Sequence, residues 1–196
     1  TATINLLKYG TERGARIIWQ DDREELLAWS EVPSFLRGLD NHQARAVRLV
    51  ELLYPAEELQ RVNVVDTPGL NSIVDEHEQT AREFIQQADA VVWLFSADQA
   101  GKQTEERALE TIRKQRLKTV GVVNKVDRLA PAQIEQVCEH LEEGFGELVD
   151  AIIPVSAKQA LEALAKEDQN ALAASPFGEL RGFLEQRIFS RSRRIK

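Results

Sequence analysis

The sequence predicts an α/β fold built on a mostly parallel sheet with helices on both faces. Short, continuous, β-branched apolar runs recur along the 196-residue chain, as expected of strands buried on both sides. From residue 62 onward, these runs alternate with longer segments in which apolar residues recur every three or four positions, as on one face of a helix. Such alternation is typical of βαβ units, which build parallel sheets covered by helices.

Six segments carry strand signals, and a seventh is ambiguous. The first two, residues 3–9 and 15–19, are separated by a glycine-containing turn and could form a hairpin. Residues 45–54 fit a helix or a strand. We favour a strand, because Pro55 stops the run, and we expect it to pair with the run that ends at Asp66. The other strands are predicted at residues 62–65, 90–95, 119–123 and 151–155.

Apolar spacing and capping signals predict the helices. Residues 21–27 read as a capped helix, and another helix is predicted to begin at Val32. Pro154 lies inside the last predicted strand, which indicates an edge position or the end of that strand. The remaining helices are predicted over residues 76–88, 103–116, 131–145 and 177–189.

Composition predicts one globular domain spanning residues 1–196. The net charge of −7 argues against a nucleic-acid-binding surface, so no nucleic-acid partner is expected. The single cysteine, Cys138, excludes an internal disulfide and suits a reducing compartment. Because methionine is absent and the chain begins with Thr1, we expect an internal segment of a longer protein.

Polar residues follow three of the predicted strands. Ligands of open α/β sheets bind beyond the carboxyl ends of strands, so Asp66, Asn124 and Ser156 are expected at one edge of the sheet. The carboxylate of Asp66 could hold a Mg²⁺-bound water. Gly69 would let the backbone come close to a terminal phosphate. A strand followed by an ordinary Pro-Gly turn is the alternative interpretation of this motif.

The segment Asn-Lys-Val-Asp at residues 124–127 is more specific. The carboxylate of Asp127 can accept two parallel hydrogen bonds from the N1–H and the 2-amino group of guanine, which adenine does not offer. Asn124 can tie neighbouring loops together and reach the base. The methylene stem of Lys125 can cover the face of the base.

A third polar segment, Ser156-Ala157-Lys158, follows the strand predicted at residues 151–155. A backbone N–H from this segment could reach O6 of guanine. The order, spacing and strand context of the three segments argue against chance polar strand ends. The sequence contains no Gly-x-x-x-x-Gly-Lys-Ser/Thr segment, which is the loop that would hold the phosphates.

The order of these motifs resembles that of the Ras-like GTPase superfamily. The sequence from Asp66 onward points to one family within it. Residues 66–72 read Asp-Thr-Pro-Gly-Leu-Asn-Ser, residues 88–93 read Ala-Asp-Ala-Val-Val-Trp, and residues 97–101 read Ala-Asp-Gln-Ala-Gly. These segments are similar to the GTPase domain of bacterial dynamin-like proteins, which are relatives of the mitofusins. The resemblance covers nearly the whole chain. The resemblance implies a Ras-like P-loop fold, GTP hydrolysis with Mg²⁺, and self-association through the GTPase face. It also implies membrane remodelling, with lipid contacts made by segments outside these residues.

By the same resemblance, Thr1 takes the place of a threonine that ligates Mg²⁺ and helps to hold the attacking water, with Thr3 as the alternative. The implied metal-site residues are therefore Thr1 and Asp66, and Gly69 completes the switch region. Leu70 stands where many Ras-like enzymes have a glutamine that orients the water. Dynamin-like enzymes hydrolyse GTP without that glutamine, so Leu70 agrees with the resemblance.

The resemblance places the phosphate loop and its strand just upstream of Thr1, so the 196 residues alone are expected to be inactive. In the superfamily that strand lies between the strands that end at Asp66 and near Ser96. Its absence would leave unpaired backbone on both. The protein is expected in the cytoplasm or peripherally at the inner face of the membrane, with residues 191–196 leading into a stalk.

Two other functions are compatible with the sequence. A GTPase of ribosome assembly also carries Asp-Thr-Pro-Gly-Leu and would have an RNA-binding module beside these residues. A nucleotide-independent interaction module could have kept the fold and lost the phosphate loop. A Gly-x-x-x-x-Gly-Lys-Ser/Thr segment upstream of Thr1 would exclude the second alternative.

Overall fold

The computed structural model describes residues 3–67, 84–97 and 103–189. They fall into two compact units. The N-terminal unit runs to Gln87, and the C-terminal unit begins at Ala88.

The N-terminal unit is built on a mixed five-stranded sheet in the order β3-β2-β4-β1-β5. Within it, β1 and β4 are parallel, and the other three pairs of strands are antiparallel. The elements are β1 (Asn5–Tyr9), β2 (Gly14–Trp19), β3 (Glu24–Ala28), α1 (Val32–Gly38), α2 (Asn41–Ala46), β4 (Val47–Tyr54), a 3₁₀ turn (Glu57–Gln60) and β5 (Val64–Asp66).

The pairing of β1 and β2 differs from the predicted hairpin. The strand β4 lies between them, parallel to β1 and antiparallel to β2. The strand predicted over residues 45–54 is confirmed from Val47 onward as β4, while residues 45 and 46 end α2; its predicted pairing with the run ending at Asp66 was wrong. That run, β5, pairs with β1 instead, with Asn5 opposite Asp66. The sequence does favour a turn after β1, but tertiary structure decides which strands pair with each other.

The predicted helix over residues 21–27 was also wrong. Asp22 adopts a left-handed backbone with φ of 63° and turns the chain back, so that β3 forms a hairpin with β2. The turn is closed by a hydrogen bond from the N–H of Trp19 to the carbonyl of Arg23 at 2.9 Å. Acidic residues followed by leucines suit a capped helix, but here the antiparallel pairing overrides that propensity.

The core of the N-terminal unit lies between the sheet and the helix α1. Ile17, Val47 and Val50 are fully buried, and the aromatic ring of Phe35 in α1 meets Trp19 edge-on at 6.3 Å between centroids. One charged side chain is buried nearby. Glu51 in β4 is only 8% exposed and accepts hydrogen bonds from Lys8 and Arg16 on the flanking strands.

The C-terminal unit is built on a three-stranded parallel sheet in the order β6-β7-β8. Its strands are β6 (Ala90–Ser96), β7 (Lys118–Asn124) and β8 (Ala151–Pro154). Its helices are α3 (Gln103–Lys114), α4 (Pro131–Phe145), α5 (Ala157–Ala165), α6 (Gln169–Ala174) and α7 (Pro176–Leu184), with a 3₁₀ turn (Val126–Arg128) and a π turn (Glu185–Phe189).

Helices cover both faces of this sheet, as the sequence predicts. On one face, Val123 of β7 packs with Leu109 of α3 and Leu141 of α4. On the other face, Val120 and Val122 pack with residues that include Leu180 of α7. Successive residues of β7 are buried alternately on the two faces, which explains the continuous apolar run.

The outer strands agree with the sequence-based expectations. Pro154 ends β8, an edge strand of its sheet. Among the described strands, β5 and β6 are also edge strands of their respective sheets. Leu94 of β6 is 64% exposed, although it is a large apolar residue in a strand.

The remaining helix predictions are largely confirmed. The helices predicted over residues 103–116 and 131–145 correspond to α3 and α4, and the last one to α7 with its π turn. Of the helix predicted over residues 76–88, residues 84–87 are helical and residues 76–83 lie outside the described residues. Among the helices in the described ranges, none has the length and apolar character that a bilayer crossing requires.

Candidate functional site

Asn124 ends β7 and joins it to the start of α5. Its side-chain Oδ1 accepts a hydrogen bond from the backbone N–H of Lys125 at 2.8 Å and another from the N–H of Ala157 at 3.1 Å. One amide oxygen therefore holds two backbone segments that are far apart in the sequence.

Lys125 follows with a left-handed backbone, φ 71° and ψ 28°. This conformation is unfavourable for residues with a Cβ by roughly 1–2 kcal/mol. The side chain of the same residue makes a polar contact: the Lys125 Nζ donates a hydrogen bond to the Ser96 Oγ at 3.1 Å. The backbone of the two strand ends is joined as well, since the N–H of Ala97 donates to the carbonyl of Asn124 at 3.0 Å.

Asp127 lies in the 3₁₀ turn with an exposed carboxylate. Its Oδ1 accepts a hydrogen bond from the Ser156 Oγ at 2.7 Å, and the same serine oxygen accepts from the N–H of Gln159 at 3.1 Å. The bond from Ser156 is the main cause that lowers the pKa of Asp127. Desolvation opposes it, and Lys158 and Arg128 lower the pKa further. The carboxylate is therefore held in its ionised, accepting form.

Backbone hydrogen bonds attach the turn that carries Asp127 to the ends of β7 and β8. Val126 is buried, and its N–H donates to the carbonyl of Val155 at 3.3 Å. The N–H of Val155 in turn donates to the carbonyl of Val123 at 2.8 Å. These bonds continue the pairing of β7 and β8 beyond their ends, so Asp127 and Ser156 stay side by side.

The first turn of α5 faces the same cluster of polar side chains. Its N–H groups at Ala157 and Gln159 donate to Asn124 and Ser156. The backbone N–H of Lys158 has no hydrogen-bond partner among the described residues. Residues 124–127 and 156–158 are thus assembled into one site, which we call the strand-end site.

Asp66 belongs to the N-terminal unit, where it ends β5. Its Oδ2 accepts a hydrogen bond from the Asn5 Nδ2 on β1 at 3.2 Å. Thr3, only 1% exposed, donates from its Oγ1 to the Asn5 Oδ1 at 3.3 Å. Of the three residues predicted for the switch region, Asp66 lies within the described residues, whereas Thr1 and Gly69 lie outside them.

The Mg²⁺ implied by the resemblance fits the donor type at Asp66. Nucleotide-bound Mg²⁺ is usually held by one or two carboxylates, with phosphate oxygens and waters as the other ligands. Within residues 3–67, 84–97 and 103–189, no group of three or more His, Cys, Asp or Glu side chains could form an all-protein metal site. A single carboxylate is compatible with a metal held jointly with a nucleotide.

Two polar residues of these sites were not predicted from the sequence. Asn5 contacts Asp66, and Ser96 contacts Lys125. Ser96 could have been found, because it is the last residue of β6 and the ligand edge of a parallel sheet collects such residues. Asn5 could not, because its role depends on the unpredicted pairing of β1 with β5.

The chain is similar to known proteins in both sequence and fold. The family model described as the dynamin family matches residues 1–126. A probable transmembrane GTPase, FZO-like and chloroplastic, from Arabidopsis thaliana is 33% identical over 114 residues, which is 56% of this chain and 12% of that protein. Dynamin-like protein 2 of Campylobacter jejuni is 26% identical over 185 residues, which is 92% of this chain and 28% of that protein.

The fold has a similar counterpart among solved structures. A bacterial dynamin from an oligomerised pair, described as providing a mechanism for the long-range sensing and tethering of membranes, has a TM-score of 0.77. The match has 20% sequence identity and covers 98% of this chain and 41% of that chain. The chain thus spans less than half the length of each of these three relatives. Because the family model matches well over half of its residues, the chain belongs to the dynamin family.

Proposed function

We propose that this chain is the GTP-binding and GTP-hydrolysing domain of a dynamin-like protein that remodels membranes. The observation that carries the proposal is the hydrogen bond from Ser156 to Asp127, with the Asn124 bridge beside it. Family membership supports the GTPase activity, and the names of the relatives, a transmembrane GTPase and a membrane-tethering dynamin, support the membrane role.

The strand-end site is proposed to read the guanine base. The ionised carboxylate of Asp127 would accept hydrogen bonds from the guanine N1–H and 2-amino group. The stem of Lys125 would lie over the face of the base. The N–H of Lys158, which has no partner among the described residues, would donate to the guanine O6. The backbone donor expected within residues 156–158 would therefore be the N–H of Lys158.

Phosphate and Mg²⁺ binding is proposed to use Thr1, Asp66 and Gly69. Asp66 would hold Mg²⁺ through a water, and Thr1 would ligate the ion through its hydroxyl. The chemistry that a bound Mg²⁺ would supply is neutralisation of phosphate charge while the terminal phosphoryl group passes to water and GDP leaves. Asn5 would keep the Asp66 carboxylate in position through the 3.2 Å hydrogen bond. The phosphate loop itself is proposed to come from residues outside this sequence, so the 196 residues alone would not hydrolyse GTP.

The partners follow from the same proposal. A second copy would associate through the GTPase face, as expected for the dynamin family, and lipid contacts would be made by segments outside these residues. Residues 1–196 would belong to one GTPase domain that is incomplete at its N-terminal side, with residues 191–196 leading into a stalk. The protein would act in the cytoplasm or at the inner face of the membrane.

Calorimetry on the full-length protein tests the proposal. With Mg²⁺ present, we expect GTP and GDP to bind and ATP to bind at least about 100-fold more weakly, because adenine cannot satisfy Asp127. Removing Mg²⁺ with EDTA should weaken GTP binding and stop phosphate release, while the preference for guanine over adenine is kept. If no guanine nucleotide binds and no Gly-x-x-x-x-Gly-Lys-Ser/Thr segment precedes Thr1, the proposal fails.

A further inference from the structure

A cationic pocket lies at the amino end of β7, in the C-terminal unit. The pocket has a volume of about 390 Å³ and is lined by Arg113, Arg116, Leu117, Lys118 and Asp150. Lys118 begins β7 and Asn124 ends it, so the length of the strand, about 20 Å, separates this pocket from the strand-end site.

A second, smaller pocket of about 90 Å³ adjoins the first, because the two share Lys118 and Asp150. It adds a fourth cation, Arg187 of the π turn, and the apolar side chains of Phe183 and Ile188. The cations come from three separate parts of the chain: the end of α3, the start of β7 and the C-terminal π turn. They gather in a protein with a net charge of −7.

The one carboxylate in these pockets is already engaged. Asp150 accepts a hydrogen bond from the backbone N–H of Thr119 at 2.9 Å and a weaker one from the Lys118 Nζ at 3.4 Å. The guanidinium groups of Arg113, Arg116 and Arg187 have no hydrogen bond or ion pair with any described residue. Three exposed guanidinium groups are therefore available to a ligand, and the pocket carries an excess of positive charge.

Helix-end electrostatics explain only part of this cluster. Basic residues favour the last turn of a helix, which accounts for Arg113 at the end of α3. Arg116, however, has a left-handed backbone with φ of 60°, a position that glycine or asparagine fills at lower cost. Arg187 belongs to a different segment and gains nothing from the end of α3.

We propose that this pocket binds a small phosphate-bearing ligand. The volume is within the range of small-molecule sites. Guanidinium groups bind phosphate oxygens through paired, charge-assisted hydrogen bonds, and Lys118 adds a point charge. Free phosphate compounds and phospholipid headgroups share this chemistry. The site is distinct from the strand-end site and does not depend on its proposed function.

The test compares two double variants of the full-length protein. Arg113→Ala with Arg116→Ala removes two pocket cations. The control, Arg37→Ala with Arg45→Ala, removes two exposed cations from the last turns of α1 and α2, with the same change in net charge. Pyrophosphate binding is measured by calorimetry, and vesicle binding by flotation with phosphatidylglycerol in phosphatidylcholine, against phosphatidylcholine alone.

We expect the pocket variant to lose about tenfold or more in affinity for pyrophosphate while the control keeps it. Loss of flotation on anionic vesicles by the pocket variant alone, without pyrophosphate binding by the wild type, supports a lipid headgroup as the source. Equal weakening of both variants, or no binding of either probe by the wild type, overturns the proposal. The proposal is also overturned if the pocket variant still binds pyrophosphate and GDP displaces that pyrophosphate. If the pocket variant melts at a lower temperature than the control, Arg187→Ala replaces it.

Discussion

Ser156 holds Asp127 through a hydrogen bond of 2.7 Å from its Oγ to the Oδ1 of the carboxylate. The same hydroxyl oxygen accepts from the N–H of Gln159 and thereby caps α5. A single side chain thus starts a helix and orients the carboxylate that we assign to base recognition. The two roles can be separated by experiment.

Replacing Ser156 with alanine should weaken GTP binding about 3- to 10-fold, because the carboxylate loses its positioning hydrogen bond. The pKa of Asp127 should rise toward its ordinary value, since that bond is the main cause of the lowered pKa. The variant should also lose about 1 kcal/mol of unfolding free energy with the helix cap. Calorimetry measures the change in GTP affinity, and denaturant unfolding measures the change in unfolding free energy.

Asp168→Ala is the matched control for the Ser156 variant. Asp168 caps α6 by accepting from the N–H of Ala171 at 2.9 Å, so its loss should cost a similar unfolding free energy. It has no hydrogen bond to Asp127, and GTP affinity should be unchanged. Equal losses of affinity in the two variants would show that Ser156 acts through helix stability alone.

Asp127→Asn should exchange the nucleotide preference of the protein. Asparagine offers one donor and one acceptor where the carboxylate offers two acceptors, so guanine is mismatched and xanthine is matched. We expect GTP affinity to fall about 100-fold or more and xanthosine triphosphate to become the tighter ligand. Competition binding with both nucleotides measures the change. An unaltered preference for GTP would refute the role assigned to Asp127.

Asn124→Ala should lower the unfolding free energy by about 1–3 kcal/mol, because the N–H groups of Lys125 and Ala157 lose their shared acceptor. Asn124→Asp keeps an oxygen acceptor at the same place and should stay within about 1 kcal/mol of the wild type. Chemical unfolding distinguishes the two. If alanine is tolerated as well as aspartate, the bridge contributes nothing to stability.

Glu51→Gln should flatten the acid dependence of stability. Burial raises the pKa of Glu51, but hydrogen bonds and charge from Arg16 and Lys8 outweigh it, so the net pKa is lowered. A carboxylate with a lowered pKa stabilises the folded state above its ordinary pKa and loses that contribution as the pH falls through the folded-state pKa. At neutral pH, we expect the variant to be about 1–3 kcal/mol less stable.

The pH profile of unfolding checks the Glu51 prediction. The difference between wild type and Glu51→Gln should shrink as the pH falls below about 4, where an ordinary glutamate becomes protonated. Glu24→Gln removes the exposed partner of Arg16 at 3.2 Å and should change stability by less than about 1 kcal/mol. A difference that persists unchanged to low pH would contradict the assignment to charge.

Gly121→Ala should destabilise the C-terminal unit by about 1–3 kcal/mol through overpacking. A Cβ at this position would lie 3.0 Å from the Phe95 Cε2 and 3.4 Å from the Ile152 Cγ1. Gly144→Ala is the control, since a Cβ there meets nothing within 4 Å and a helical alanine should add about 0.5–1 kcal/mol. Thermal melts of both variants test the packing, and a stable Gly121→Ala would contradict it.

The fold was predictable where local signals and tertiary pairing agree. The predicted strand over residues 119–123 is confirmed within β7 because a central parallel strand is buried on both faces and must be apolar throughout. The helix predicted over residues 131–145 has the same bounds as α4. Its start was predictable because Pro131 suits the first turn of a helix. The family prediction is confirmed by the family model, which matches residues 1–126.

The sequence could not predict which strands become neighbours in the N-terminal unit. Strand signals mark a segment as extended, but β4 enters between β1 and β2 from more than 25 residues away. The hairpin of β2 and β3 likewise depends on a left-handed turn at Asp22, a residue type that tolerates this conformation without requiring it. The contact between Asn5 and Asp66 was therefore beyond local reasoning.

The two hydrogen bonds that Lys125 donates have a consequence for the affinity of the strand-end site. With its ammonium bonded to Ser96 and its N–H to Asn124, the stem that would cover the base is ordered before any ligand arrives. The entropy cost of ordering this one side chain is then met during folding rather than during association. A nucleotide would meet a preorganised surface, and its affinity would reflect the match to the base more than the cost of ordering the loop.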